Sequence, residues 1–194
     1  SFYLITFFTF LFVAQFIKAQ NVSSEIDSLI QKHEQPNSPG LGIGVIKDGN
    51  IIYSKSIGLA SLEYNVKNSD STVFSLASIA KQFTAACAWA LIKENKLSLD
   101  DDIRTFLPEL PEKKEIIKIR HLLNHTSGFR DYNSSMYLAG FDYDKEYYDN
   151  QTVYNIACKQ KKMTNLPGEK VLYGNTSYNL LTLIIERISK KNLH

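Results

Sequence analysis

Little in these 194 residues is extreme, and the shortages narrow the field first. Cysteine occurs twice, at Cys87 and Cys158. Two is too few for a disulfide framework, and the spacing fits no metal-ligand motif. The plain expectation is two buried thiols; a single disulfide stays open in an oxidising compartment. An excess of one charge is also missing. Twenty-two Lys and Arg stand against twenty Asp and Glu, for a net charge of +2, and the basic residues are scattered along the chain. A nucleic-acid footprint needs Lys and Arg clustered on one face, so no nucleic-acid partner is expected. No internal repeat or low-complexity linker divides the chain. Its 44% hydrophobic and 22% charged residues are ordinary for one globular domain.

A long apolar run occurs once, from Phe2 to Ile17, broken only by Thr6, Thr9 and Gln15. Lys18-Ala19-Gln20 and a polar stretch follow. The run is short of the ~20 residues that a spanning helix usually needs. It reads as a signal-peptide core with cleavage near Ala19, which gives residues 1–19 as the signal segment. A retained N-terminal anchor is the alternative. Either reading places the rest of the chain outside the cytoplasm, secreted or periplasmic, with no other membrane insertion. Neither an initiating Met nor a basic segment precedes the run, so a longer gene product is expected.

Beyond it, Ser23 to His33 carries Ile26, Leu29 and Ile30 at helical spacing. Gln35 to Gly40 reads as a loop. Leu41 to Ile46 and Ile51 to Ile57 are apolar and flank Lys47-Asp48-Gly49-Asn50, a strong hairpin signal. Ser69 to Phe74 is loop, and the pattern turns helical from Ser78 to Glu94. Asp100 to Asp102 read as a solvated cap and turn rather than a metal site. Ile119 to Asn124, Gln151 to Lys161 and Thr176 to Lys190 are further helices, and Pro167-Gly168 is a turn. Asp131 to Asn150 reads as a polar, tyrosine-rich surface excursion. Phe83, Trp89 and Tyr178 fall at helical spacing and are expected in the core. The order predicts an α+β fold with a helical region packed on an antiparallel sheet. One hairpin makes a poor sheet, so either the sheet is tiny or its other strands lie beyond His194.

Two short motifs carry chemistry. Ser78-Ile79-Ala80-Lys81 puts a hydroxyl and an ammonium three residues apart, on one helix face. A desolvated lysine there can relay the hydroxyl proton, and the helix N-terminus offers N–H groups to a developing oxyanion. Alone the motif is close to noise, because chance supplies roughly one match in a chain this long. Tyr173-Gly174-Asn175 is the second motif. A phenol is a poor base until a neighbouring ammonium favours its phenolate. An Asn amide both donates and accepts, so it can hold the lysine and a substrate amide in register. Tyr148-Asp149-Asn150 has the same pattern but sits in a polar stretch and ranks below. His125, in His125-Thr126-Ser127-Gly128, invites a Ser-His reading. Sequence neighbours rarely have triad geometry, so a structural role is expected. His33 and His121 read as surface or packing residues.

Four stretches together resemble the β-lactamase-related serine hydrolase family of class C β-lactamases, D-alanyl-D-alanine carboxypeptidases and similar esterases. They are the hairpin ending in Ser56-Ile57-Gly58, Phe74 to Lys81, Ile119 to Gly128, and Pro167 to Glu186. The resemblance runs from Pro39 to Lys190 and makes residues 20–194 the N-terminal part of such a domain. It implies Ser78 as acylated nucleophile, Lys81 as its proton partner, Tyr173 as general base and acid, and Asn175 as substrate contact. It implies a β-lactam, D-Ala-D-Ala peptide or carboxylic ester as substrate. No metal or other cofactor is expected. The family's third motif, a Lys-Thr-Gly or His-x-Gly tripeptide on a late strand, is not found in the sequence. The chain is therefore expected to be about the first half of the whole protein. A non-catalytic binding or sensor module of the same fold, or an inactive fragment, is the competing reading.

Overall fold

The computed structural model describes residues 23–112, 114–143 and 145–193. The apolar run at Phe2 to Ile17, with its reading as signal peptide or anchor, lies outside them. The chain divides into two compact units, Ser1–Ser75 and Leu76–His194.

In the first unit, residues 23–31 form helix α1. Strands β1 (Leu41–Lys47) and β2 (Asn50–Ile57) pair antiparallel with Lys47 opposite Asn50. Asp48 and Gly49 between them both have positive φ, at 51° and 77°. That is the type I′ turn which Asp-Gly favours, because its twist matches the strands it joins. The register slips by one residue between Val45 and Ile46, which leaves Ile52 of β2 as a bulge. Tyr53 and Lys55 of β2 both donate to Asp27 of α1, at 2.7 and 2.8 Å. The hairpin ends at a close backbone approach. Gly40 donates to the Leu59 carbonyl at 2.8 Å, and a Cβ on Gly58 would stand 2.6 Å from the Gly40 Cα. β3 (Leu59–Ser61) and β4 (Val66–Lys67) make a second two-stranded sheet.

The second unit is helical: α2 (Ala80–Lys93), α3 (Ile119–Leu123), α4 (Tyr132–Leu138), α5 (Asn150–Lys159) and α6 (Asn175–Ser189). Helix α6 is the hub. Its buried residues Thr176, Ser177, Leu180, Leu181, Ile184 and Ile185 recur in pairs four apart, one continuous stripe of a helix. That stripe meets α2, α3 and α5. Leu180, Leu181 and Ile184 are fully buried, each contributing about 1.5–3 kcal/mol of transfer free energy. Ala88 and Leu91 of α2, Ile119 and Leu122 of α3, and Ile103 and Leu107 belong to the same core.

Two sequence expectations are corrected. Residues 131–150 hold helix α4, because Asp131 caps it through the Asn133 N–H and Met136 is buried. Phe83 and Trp89 are more than half exposed. At 100° per residue both lie on faces of α2 away from the Ala88 and Leu91 stripe. Cys87 and Cys158 are separate thiols, as expected, though only partly buried, and burial pushes the Cys158 thiol pKa up. The three aspartates do act as cap and turn. Asp102 accepts from the Arg104 N–H at the start of a 3-10 turn, and Asp100 pairs with Lys118 and Arg120. Among the described residues no helix is long and apolar enough to cross a membrane.

Candidate active site

Ser78 lies in a 3-10 turn, Ala77–Ile79, that runs straight into α2. The residue before it, Ala77, has φ 45°, a left-handed conformation that costs a non-glycine residue energy. The kink presents Ser78 at the head of the helix, where its side chain is exposed. Lys81 follows one turn later on the same face, and its Nζ donates to Ser78 Oγ at 3.1 Å. Lys81 Nζ also donates to Asn175 Oδ1 at 2.8 Å. Tyr173 closes the cluster: its hydroxyl lies 2.6 Å from Ser78 Oγ. The Lys81 ammonium sits 5.0 Å from the centre of the Tyr173 ring and 5.8 Å from that of Tyr178. Residues 95 apart in sequence thus share one hydrogen bond at Ser78.

The electrostatics follow from this contact set. Lys81 first, and then Ser78, lower the Tyr173 pKa from its ordinary 10.0, because both donate toward the phenolate. A serine hydroxyl held between a phenolate-prone tyrosine and an ammonium can lose its proton to the phenol oxygen.

His125 and Asp131 position this cluster. His125 has φ 58° and opens a turn whose carbonyl accepts the Leu172 N–H at 2.9 Å. Its ring lies 4.5 Å from that of Tyr173 and 5.2 Å from that of Tyr178. Its Nδ1 accepts a long bond from the Gly174 N–H at 3.4 Å. Burial first, and then Lys81, lower the His125 pKa from 6.5, which favours the neutral ring that can accept that bond. Ser127 bonds Ser177 of α6 at 2.8 Å, and Thr126 accepts the Gly168 N–H at 2.9 Å. The turn therefore ties the Tyr173 segment to the core. Asp131 was not foreseen. One of its oxygens accepts the Asn175 N–H and the other the Asn133 N–H, so a single carboxylate caps α6 and α4 together. An Asp before a helical pattern is a visible cap signal for α4, whereas its bond to Asn175 crosses 44 residues.

The rival Tyr148-Asp149-Asn150 is spent on structure. The Tyr148 hydroxyl is 3.2 Å from that of Tyr132, Asp149 caps α5, and Asn150 accepts from Asn179. Among the described residues no three His, Cys, Asp or Glu side chains group as metal ligands.

The Beta-lactamase family model matches residues 26–193. Penicillin-binding protein 4* of Bacillus subtilis is 30% identical over 172 residues, which cover 89% of this chain and 37% of that protein. Among solved structures, the octameric penicillin-binding protein homologue from Pyrococcus abyssi superposes with a TM-score of 0.70 at 29% identity, over 90% of this chain and 39% of its own. The beta-lactamase/D-alanine carboxypeptidase from Pseudomonas syringae gives a TM-score of 0.64 at 27% identity, over 87% of this chain and 44% of its own. The chain spans little more than a third of the length of the curated relatives it matches.

Proposed function

The chain belongs to the Beta-lactamase family of serine hydrolases, and from that premise we propose that it acts by acylation of Ser78. The substrate is a β-lactam, a D-Ala-D-Ala peptide or a carboxylic ester. One observation carries the reading: Ser78 Oγ lies within hydrogen-bond reach of both Tyr173 Oη, at 2.6 Å, and Lys81 Nζ, at 3.1 Å. The Tyr173 phenolate takes the Ser78 proton as Oγ attacks the acyl carbon, and the phenol then passes that proton to the departing nitrogen or oxygen. In the second half-reaction water attacks the acyl-serine, gives its proton to Tyr173, and Ser78 leaves with a proton. Lys81 keeps the phenolate favoured and, through Asn175 Oδ1, fixes the amide of Asn175. The Asn175 amide N–H groups are the proposed donors to the substrate carbonyl. The relatives' names support this class of chemistry: penicillin binding for one, D-alanine carboxypeptidase for another.

Fluorescent penicillin, followed on denaturing gels and by peptide mass spectrometry of the full-length protein, tests the reading. A covalent label on the Ser78 peptide, lost in Ser78→Ala, is the expected result. Absence of a label together with absence of p-nitrophenyl ester turnover sinks it. The apolar run at Phe2 to Ile17 supports action outside the cytoplasm, in a secreted or periplasmic protein, with residues 1–19 as the signal segment.

A further inference from the structure

Lys159, Lys161 and Lys162 stand within four residues of sequence, and the fold brings Arg130 beside them. Arg130, Lys159, Lys161 and Lys162 line one groove of about 490 Å³, and among the described residues no acidic side chain lines it. The two walls of the groove are tied together by Gln160. Its Oε1 accepts the Arg130 N–H at 3.0 Å, and its Nε2 donates to the Lys162 carbonyl at 3.0 Å. Thr164 reinforces the tie, because its N–H and its hydroxyl both donate to the Gly128 carbonyl, each at 2.9 Å. The segments that bear the cations are thus held in register before a ligand arrives, which lowers the ordering cost of binding.

The C-terminal carbonyls of α5 attract a cation and account for Lys159. They do not account for Arg130 or Lys162, which lie off that helix. Among the described residues Arg130, Lys159 and Lys162 form no ion pair. Like charges confined to one groove repel each other, and a ligand of opposite charge relieves the repulsion.

We infer that this groove binds an anion carrying several phosphates in a row. The guanidinium of Arg130 matches a phosphate with two parallel N–H donors, and the lysines act as point charges on further oxygens. The volume exceeds what one phosphate fills, and Arg130, Lys159 and Lys162 match a chain of two or three. The groove is separate from the Ser78 cluster, so the inference does not depend on the acyl-transfer reading.

Calorimetric titration of the full chain with tripolyphosphate, at about 0.02 M and about 0.3 M salt, tests it. Saturable binding that weakens with salt is expected. The triple variant Arg130→Ala, Lys159→Ala, Lys162→Ala is expected to bind at least about tenfold more weakly. Circular dichroism checks that it folds, and Lys162→Glu alone gives a smaller loss should it not. Three results overturn the inference: no binding to the wild-type chain, equal binding to a folded variant, or citrate competing as well as tripolyphosphate.

Discussion

A serine hydroxyl is a weak nucleophile at neutral pH, and in the proposed chemistry Tyr173 supplies the base that Ser78 lacks. Tyr173 in turn depends on Lys81, the first cause of its lowered pKa. Lys81→Met keeps the length of the side chain and removes the charge, so the Tyr173 pKa must rise toward its ordinary 10.0. Less phenolate is then present at any given pH, and the acid limb of the kcat/KM profile must move to higher pH. Ester hydrolysis measured from pH 6 to 10 reads this; general-base contributions of this kind are worth about 10²–10⁴ in rate. A uniform loss with no movement of the limb would mean that Lys81 holds Asn175 and nothing more. The Ser78–Lys81 spacing was legible because residues three apart on a helix share a face. The strain at Ala77, with φ 45°, was not. No residue type announces a left-handed alanine, and only the turn that forces it shows it.

At the scale of elements, the local signals read well where a few residues decide the shape. Asp48-Gly49 specified the hairpin turn because two positive φ values are needed there, and the apolar stripe of α6 specified a buried helix. The signals failed where a distant partner decides. Helix α4 lies in a stretch whose polarity suggested an excursion, yet its N-terminus is fixed by Asp131, which at the same time caps α6. This double role predicts a graded effect. Asp131→Ala leaves two helix N–H groups without their acceptor, at about 0.5–2 kcal/mol for each cap. Asp131→Asn has one oxygen and serves only one of them. Melting temperatures should fall in the order wild type, Asn, Ala. Activity should fall with them, because Asn175 carries the Oδ1 that holds Lys81. Equal melting temperatures for the three proteins would remove Asp131 from the account.

Over the whole molecule, the carboxylates and histidines whose pKa values are displaced are all displaced downward. The His121 and His125 pKa values are both lowered from 6.5, chiefly by burial and then by neighbouring cations. In the window below 6.5 the unfolded chain therefore binds more protons than the folded one, and stability falls as pH falls. The second loss belongs to carboxylates. The Arg187 guanidinium first, and then the Tyr154 hydroxyl, hold the Glu109 pKa at about 2 against an ordinary 4.5. Lys118 first lowers the Asp100 pKa from 3.8. Their stabilising effect is complete above the unfolded values and disappears as pH drops toward about 2. Glu109 is half exposed, with a side-chain accessibility of 55%, so solvent screens its share. The Glu109–Arg187 contact links the segment before α3 to the last turn of α6, and Arg187 also donates to the Phe106 carbonyl at 2.7 Å. Urea midpoints should therefore decline in two stages, one beginning just below pH 6.5 and one below about pH 4.5. Glu109→Gln should flatten the lower stage and leave the upper one in place, whereas His125→Gln should shrink the upper stage alone. A single transition centred near pH 4, unchanged by either variant, would mean that generic charge repulsion governs acid unfolding instead of these contacts.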